Sequence, residues 1–463
     1  MTTDVCGAIG STRRLTCPRL VSTIPDSLGG IVARFLVATH PITGHVLPGI
    51  PIVTELVRRG HDVRWYVGAK FRHHAEQAGA VFEPYVEAQD YDDSDYDAAF
   101  PGRRSLRGLR QLTYDFQKVF VEQVTGQHRD ISAILERFPA DVTLGDTAMI
   151  GPFTVNETGG PPNAVYNITC LGLPGRGLAP FGLGLLPDDT RKGLVRNRIL
   201  AYSAANVVFG RVSHELQRQC RVIGVEPRKF TGPAVSDYLY LQPSVPSFEY
   251  RRPDLQPQVH YVGALLPPPP DDPRLPDWWP EVESSTRPVV LVTQGTVATG
   301  VRDLVAPTLL GLADEEVLVV AAGVPDRAAL GIPRVPGNAR TAAYLPFSSV
   351  MEHVSVYVTN GGYGGVQYAL AAGVPIVAAG TTEDKAEVGN RVAYSGVGRN
   401  LGTATPTPEH VRGAVRALLD DPSYRTAAGR VALDLSGHDA APRARICSNG
   451  SPPRGGRSTP DPL

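Results

Sequence analysis

Short apolar runs alternate with longer segments of helical period along most of the chain. The first runs, at 34–39, 62–67 and 81–84, are rich in Val, Phe and Tyr, which is typical of buried strands. Between the first two runs, residues 46–59 carry apolar side chains at close to helical spacing, which predicts a helix ended by Gly60. This order predicts a parallel sheet, with a ligand-binding edge at the loop that follows the first strand.

The same alternation continues to residue 266. It predicts helices at 72–79 and over most of 105–138, and strands at 141–145, 163–168 and 259–266. The segment 170–186 is rich in Gly, Leu and Pro and lies next to a predicted sheet edge. It is interpreted either as an apolar wall for a ligand or as a loop that covers the core.

A proline-rich stretch at 267–276 predicts a stiff linker, after which the alternation restarts. The second half has predicted strands at 288–293, 317–322, 356–358 and 376–379, and predicted helices at 302–314, 366–372, 385–396, 408–419 and from 427. Two doubly wound α/β domains follow from this pattern, in agreement with a length of 463 residues. The predicted division is a disordered leader (1–32), a first domain (33–266), a linker (267–286), a second domain (287–440) and a disordered tail (441–463).

A glycine-rich turn lies between the predicted strand at 356–358 and the helix at 366–372. The turn is Asn360, Gly361, Gly362, Tyr363, Gly364 and Gly365. Backbone N–H groups at a helix start have no intrahelical acceptor, and the helix dipole makes that end positive. Because glycine also lets a ligand approach the main chain closely, the turn predicts a site for an anion such as a phosphate.

This stretch resembles the donor-site signature of the family 1-type, GT-B-fold glycosyltransferases, a class that includes plant and macrolide enzymes. The family pattern is His-x-Gly, then a Ser and a Glu at intervals of three, then Gly-Val-Pro and Asp-Gln. The matching positions are Asn360, Gly362, Gly365, Tyr368, Gly373-Val374-Pro375 and Asp384-Lys385. The glycines, the Gly-Val-Pro and the spacing to Asp384 agree, whereas four polar positions are altered.

The resemblance implies a GT-B fold, in which two doubly wound Rossmann-like domains face each other across a cleft. The first domain would bind the acceptor and the second the nucleotide-sugar donor. The implied reaction is inverting transfer of a hexose or deoxyhexose to a hydroxyl of a small, mainly apolar natural product or lipid-like acceptor. No metal or cofactor is implied, since the dTDP- or UDP-sugar is a substrate.

Several donor contacts are implied by matching positions. Gly295 and Thr296 match a Gly-Ser or Gly-Thr of the family, where backbone N–H and hydroxyl groups contact the donor phosphates. Asn360 replaces a phosphate-binding histidine and carries no charge. The leaving diphosphate would therefore rely on the glycine-rich helix start.

The positions further along the signature concern the sugar and the ribose. Asp384 matches the family residue that holds sugar hydroxyls, and Lys385 replaces a neutral amide. Tyr368 replaces the glutamate that grips both ribose hydroxyls of UDP, so the donor is either a dTDP-sugar or a UDP-sugar held by neighbouring Gln367. Arg391 has two possible interpretations: it contacts a phosphate, or it is an exposed residue on the surface of a helix.

The motif Thr43-Gly44-His45 lies at the loop after the first strand. Transfer to a hydroxyl needs a base, and histidine is the usual choice near neutral pH. In the family, the histidine of Gly-His-x-x-Pro is that base and a strand-end aspartate is its partner, which implies His45 and Asp146, with Asp141 a weaker contender. His40 is the nearest competitor for the base. If only the local sequence is used and the family resemblance is set aside, His45 is interpreted as a residue at a helix start and Asp146 as a turn or capping residue.

The composition of the chain restricts which binding partners and which cellular location are expected. The net charge of −1 predicts no nucleic-acid partner, and a membrane contact is expected only if the acceptor is a lipid. No apolar run approaches the roughly 18 residues of a membrane span. The five cysteines form no C-x-x-C pair, so the default is a cytoplasmic protein. Both a monomer and a homodimer are left open.

Three other features of the sequence bear on a metal site, a dinucleotide site and a non-catalytic function. The acidic segment 89–98 contains Asp93 and Asp95, a spacing found in metal motifs, but such a run is more typical of a solvated loop. A dinucleotide-dependent oxidoreductase is excluded because no G-x-G-x-x-G follows the first strand. The alternative function is a catalytically silent GT-B auxiliary protein that binds a partner glycosyltransferase. The altered polar positions favour it, and the retained His45 and Asp384 argue against it.

Overall fold

The computed structural model describes residues 32–232, 235–270, 272–295 and 300–438. The predicted leader up to residue 31, the predicted tail and the candidate donor contact Thr296 lie outside these ranges. The described residues from Ala33 to His438 form one compact unit that contains two parallel sheets.

The first sheet has the strand order β3-β2-β1-β4-β5-β6-β7, and every neighbouring pair is parallel. The strands are β1 Arg34–Ala38, β2 Asp62–Tyr66, β3 Val81–Glu83, β4 Val142–Asp146, β5 Asn163–Tyr166, β6 Leu239–Gln242 and β7 Val259–Tyr261. The strand order reverses between β1 and β4, so a crevice opens there at the carboxyl ends of the strands.

The second sheet has the strand order β10-β9-β8-β11-β12-β13 and is also wholly parallel. The strands are β8 Val289–Thr293, β9 Leu318–Ala322, β10 Ala339–Ala342, β11 Val356–Thr359, β12 Ile376–Ala378 and β13 Gly398–Asn400. Its order reverses between β8 and β11, which places the glycine-rich turn at the second crevice. The prediction of two doubly wound sheets is confirmed.

Helices cover both sheets. In the described residues the α-helices are α1 Thr43–Val46, α2 Gly49–Arg58, α3 Arg72–Gln77, α4 Tyr96–Ala99, α5 Gly108–Asp115, α6 Val124–Arg137, α7 Gly151–Glu157, α8 Arg191–Ser203, α9 Gly210–Ile223, α10 Trp279–Glu283, α11 Val305–Gly311, α12 Phe347–Val350, α13 Tyr363–Ala371, α14 Lys385–Tyr394, α15 Pro408–Asp420 and α16 Pro422–Ser436. The helix predicted at 46–59 is two helices, α1 and α2, separated at Leu47 and Pro48. Proline has no N–H group and so cannot continue the hydrogen-bond ladder of a helix.

The core of the second sheet includes side chains from the first half of the chain. Cys170, Val245 and Phe248 are buried in one cluster with Leu291 and Tyr357 of β8 and β11. The predicted linker ends in α10, whose Trp279 and Val282 are buried in the same cluster. Apolar packing therefore extends across the boundary between the two sheets.

Candidate active site

His45 and Asp146 meet at the crevice of the first sheet. Ala38, the last residue of β1, pairs with Gly145 of β4, one position before Asp146. His45 lies in α1, which follows β1 after a short turn. The topology thus joins two side chains that are 101 positions apart.

The Asp146 carboxylate is fully buried and accepts three hydrogen bonds. Its Oδ1 accepts from His45 Nδ1 at 3.0 Å and from Ala148 N–H at 2.8 Å, and its Oδ2 accepts from His40 N–H at 2.8 Å. An ionised carboxylate can only accept, so the proton of a neutral His45 ring lies on Nδ1 and the lone pair on Nε2. That tautomer is the one a general base requires.

Neighbouring groups keep Asp146 ionised. Burial opposes ionisation, but the nearby His45 and His40 outweigh it, and the pKa of Asp146 is lowered. Burial lowers the pKa of His40 to about 4, although Asp146 acts in the opposite direction. His40 is 1% exposed, with its ring Nε2 3.2 Å from the Ala148 carbonyl oxygen. Such a ring is poorly placed to take a proton from a bound ligand, so the geometry favours His45 over His40.

Asp141, the weaker contender for the partner, lies elsewhere. It precedes β4 and therefore sits at the amino edge of the sheet, opposite Asp146. Its carboxylate pairs with Arg34 at 3.1 Å, and both side chains are largely exposed. Asp141 is not brought to His45.

Two distant residues hold α1 in place. Asp93 Oδ2 accepts from Thr43 N–H at 2.7 Å, and the Tyr166 hydroxyl donates to the His45 carbonyl oxygen at 3.0 Å. The Asp93 side chain is 4% exposed and also pairs with Lys70. The interpretation of 89–98 as a solvated loop is therefore wrong for Asp93, because a helix start and a cation draw its carboxylate inward.

The glycine-rich turn leads directly into α13, which begins at Tyr363 rather than at the predicted Val366. Gly361 has a φ of +90°, a conformation that favours glycine. Its N–H donates to Thr359 Oγ1 at 3.2 Å. Gly364 and Gly365 lie in the first turn of α13, where a helix leaves N–H groups without an intrahelical acceptor. This end of α13 can bind an anion.

Asn360 joins the two turns at the second crevice. Its Oδ1 accepts from Gly362 N–H at 3.1 Å. Its Nδ2 lies 2.9 Å from the position that a Cβ would take on Gly295, which follows β8. Asn360 is 3% exposed, so the side chain is part of the turn itself as well as a candidate donor of hydrogen bonds.

Tyr357 explains one departure from the family pattern. A Cβ on Gly365 would lie 2.4 Å from the Tyr357 hydroxyl and 3.3 Å from the Phe347 ring. A serine could not be added there without moving a buried aromatic side chain. The Tyr357 hydroxyl on β11 therefore occupies the space of the missing serine.

Gln367 and Tyr368 face different surroundings. Gln367 is 3% exposed and its Oε1 accepts from Leu265 N–H at 2.9 Å, so this oxygen already binds the chain that follows β7. Tyr368 is half-buried, with its ring edge-on to Phe347 at 6.0 Å. The structure thus gives Gln367 a packing contact that sequence reasoning did not foresee.

Asp384 and Lys385 begin α14. Thr169 Oγ1 donates to Asp384 Oδ2, and burial raises the pKa of Asp384 against the effect of Lys385. The Lys385 ammonium pairs with the Glu383 carboxylate. Glu383 has a φ of +56°, which is uncommon outside glycine and marks a constrained turn just before Asp384.

Arg391 fits neither of its two interpretations. It is 2% exposed, and its guanidinium pairs with the carboxylates of Glu249 and Glu387. It also lies 4.2 Å over the Tyr250 ring. Arg391 is therefore a buried contact between the two halves of the chain.

The end of β5 connects the two crevices. Tyr166, its last residue, contacts His45, and Thr169 contacts Asp384. Three residues of extended chain span at most about 11 Å. The segment that contains the candidate base, and the candidate sugar-binding residue itself, consequently both contact the stretch of chain at the end of β5.

Within the described ranges, no group of three or more His, Cys, Asp or Glu side chains is placed to hold a metal ion. Nor is any described helix both long and apolar enough to span a membrane.

Known proteins are similar in sequence to this chain over most of its length. Residues 308–443 match the family described as erythromycin biosynthesis protein CIII-like, C-terminal domain. The chain is 41% identical over 416 residues to 4'-demethylrebeccamycin synthase of Lentzea aerocolonigenes, covering 88% of this chain and 97% of that protein. The chain belongs to the family 1-type GT-B glycosyltransferases.

Two further comparisons agree with this family. UDP-glycosyltransferase 2 of Phaeomoniella chlamydospora is 34% identical over 423 residues, which are 88% of this chain and 92% of the relative. Among solved structures, the glycosyltransferase of kitacinnamycin has a similar fold, with a TM-score of 0.68 at 20% identity over 90% of this chain and 97% of that one. The predicted fold class, GT-B, is confirmed.

Several site contacts of this glycosyltransferase were not predicted from its sequence. They are Tyr166, Thr169, Tyr357 and the pair Glu387 and Arg391. Thr169 could have been predicted as a site residue from the sequence, because it follows a strand at the same carboxyl edge of the sheet as Asp146. Glu387 and Arg391 stand four positions apart on a predicted helix, a spacing that indicates an ion pair but does not reveal that it is buried.

Proposed function

We propose that this chain catalyses inverting transfer of a hexose or deoxyhexose from a nucleoside diphosphate sugar to a hydroxyl of a small, mainly apolar acceptor. The observation that carries the proposal is the buried contact of 3.0 Å between His45 Nδ1 and Asp146 Oδ1. Both residues lie at the switch point of the first sheet.

In the proposed step, the acceptor oxygen attacks the anomeric carbon from the face opposite the diphosphate. The bond between that carbon and the diphosphate oxygen breaks, and the configuration inverts. His45 Nε2 takes the acceptor's proton, and ionised Asp146 stabilises the imidazolium that forms. The nucleoside diphosphate leaves with both electrons of the broken bond.

On the donor side, the first turn of α13 receives the diphosphate. The N–H groups of Gly364 and Gly365 and the positive end of the helix dipole offset the negative charge that develops on it. Asn360 contributes an amide N–H in place of a cation. Gly295 and Thr296 complete the proposed phosphate contacts, and Asp384 and Lys385 the sugar contacts.

Tyr368 and Gln367 bear on the choice between a dTDP-sugar and a UDP-sugar. Because Gln367 Oε1 accepts from Leu265 N–H, that oxygen is engaged and is a poor substitute for a ribose-binding carboxylate. This supports a dTDP-sugar donor, which lacks one ribose hydroxyl. The name of the Phaeomoniella chlamydospora relative points to UDP instead. Competition by dTDP and UDP separates the two, and a clear preference for UDP would refute the dTDP assignment.

The acceptor class follows from the family and from the segment 170–186. The Lentzea aerocolonigenes relative is named for a natural product, 4'-demethylrebeccamycin. The segment 170–186 follows β5 at the cleft and is rich in Gly, Leu and Pro, which suits an apolar wall. An aromatic natural-product aglycone is therefore the first acceptor to test in a transfer assay.

The test offers UDP- and dTDP-sugars with aromatic and macrolide aglycones to the intact chain and to His45→Ala. Transfer by the intact chain, and its loss by roughly 10²-fold or more in His45→Ala with nucleotide binding retained, would support the assignment. Nucleotide binding without turnover of any donor would instead favour the auxiliary protein. Unimpaired transfer by His45→Ala would refute the base assignment.

A further inference from the structure

A cluster of buried polar groups connects α14 to the segment 169–184, which follows β5 and contains most of the proposed acceptor wall at 170–186. Glu387 Oε1 accepts from Gly182 N–H at 3.1 Å and from Gly184 N–H at 2.9 Å. Asn390 Nδ2 donates to the Gly184 carbonyl oxygen at 2.6 Å. Three hydrogen bonds from one helix therefore fix the backbone of a segment without regular secondary structure.

Arg391 adds a second layer to this cluster. Its Nη2 donates to the Leu171 carbonyl oxygen at 2.6 Å, and its Nη1 to Glu387 Oε2 at 3.1 Å. Its Nε donates to Glu249, which also accepts from Leu171 N–H at 2.9 Å. Glu249, Glu387 and Arg391 are each at most 5% exposed. Charges so deeply buried persist only when they are paired, so these contacts are mutually dependent.

The cluster joins the two sides of the cleft. Helix α14 begins at Asp384 and Lys385, whereas the segment 169–184 begins at Thr169, which itself contacts Asp384. The same helix thus carries the proposed sugar contacts at its start and the contacts to the proposed acceptor wall one turn later. A shift of either element would change the distance between sugar and acceptor.

We propose that Glu387 and Arg391 are positioning residues that hold the acceptor wall at a fixed place relative to the sugar bound at α14. The proposal rests on the proposed function. Their loss should leave nucleotide binding intact but let water compete with the acceptor for the bound sugar, because reactive geometry is sensitive to displacements of about 1 Å.

One test uses Glu387→Ala and Glu387→Gln, with a dTDP- or UDP-sugar and an aromatic aglycone. Alanine removes the acceptor of both glycine N–H groups, whereas glutamine keeps an oxygen there. We expect Glu387→Ala to lower the ratio of transfer to donor hydrolysis at least tenfold and to raise the acceptor KM. Glu387→Gln should recover most of the ratio, and the Kd for the nucleoside diphosphate should stay within about twofold in both.

A second test leaves the buried charges untouched. A Cβ on Gly184 would lie 2.9 Å from the Ala386 Cβ, so Gly184→Ala should push the segment away from α14. Gly184 has a φ of +60°, so an alanine there is also strained by its own backbone. Adding Ala386→Gly should restore the space and most of the transfer ratio but not the stability lost to this strain, while Ala386→Gly alone should keep the transfer ratio of the unsubstituted chain. This cycle separates displacement of the segment from loss of folding.

Variants that lower the melting temperature but keep the transfer ratio and the acceptor KM would show a purely structural role and overturn the inference. A cycle in which Ala386→Gly recovers none of the transfer ratio lost in Gly184→Ala, although both variants are folded, would also overturn it. If the unsubstituted chain neither binds UDP or dTDP nor hydrolyses a donor, the proposed function itself falls, and the inference falls with it.

Discussion

Replacing Asp146 by asparagine keeps the shape of the side chain and removes its charge. Oδ1 and Oδ2 together accept three hydrogen bonds, from His45, Ala148 and His40. If the asparagine oxygen faces His45 and Ala148, its NH₂ group opposes the N–H of His40. If the amide is turned, the NH₂ group opposes Ala148 N–H, and the His45 Nδ1 must become an acceptor, which moves its proton to Nε2.

Both orientations lose at least one hydrogen bond to a charged acceptor, which destabilises the fold by about 1.5–3 kcal/mol. The loss of kcat should exceed what partial unfolding of the variant can cause, because the base loses its correct tautomer or its stabilising charge. We expect kcat for transfer to fall roughly 10²- to 10⁴-fold, with the Kd for the nucleoside diphosphate unchanged. Steady-state kinetics at a temperature where the variant is folded, as checked by circular dichroism, measures this. A variant that is folded and retains a kcat within threefold would refute the role of Asp146.

Three further predictions concern stability and metal dependence. Because burial lowers the pKa of His40 from 6.5 to about 4, the unfolded chain takes a proton between these values that the folded chain does not, so stability falls as pH falls through this window. The free energy of unfolding should fall by about 2 kcal/mol from pH 7 to pH 5. Urea denaturation at the two pH values measures this fall, which should be smaller in His40→Gln. Gly365→Ser, which restores the family residue, should lower the free energy of unfolding by about 1–3 kcal/mol because of Tyr357, and adding Tyr357→Phe should recover part of it; no loss would refute the steric argument. Transfer should be unchanged by an excess of EDTA, and a loss restored by Mg²⁺ would contradict a reaction that needs no metal.

The fold was largely predictable because most strands are short apolar runs. Strands β1, β4, β8 and β11 are buried on both faces, so burial requires the Val-rich and Leu-rich stretches by which they were found. Strands β6, β10 and β13 were not predicted. Strand β6 lies inside the first sheet but has only four residues. Strands β10 and β13 lie at the edges of the second sheet and consist of only four and three residues, with polar side chains. Their pairing is set by the neighbouring strand rather than by their own composition.

The candidate site was predictable where residues follow strands and less so where residues cross the cleft. Asp146 ends a recognisable strand and His45 lies shortly after another, and the topology brings them together. Arg391 gave no such signal, because an arginine on an amphipathic helix is usually exposed. Its burial depends on Glu249, which is 142 positions away. Pairings at that separation follow from the tertiary fold and not from local pattern.

The anomeric configuration of the product tests the central claim most directly. With UDP-α-glucose or dTDP-α-glucose and an aromatic aglycone, direct displacement assisted by His45 predicts a β-glucoside, recognised by the large coupling between H1 and H2 in its proton NMR spectrum. An α-glucoside formed by the intact chain would contradict a single displacement and, with it, the assignment of His45 and Asp146 as base and partner.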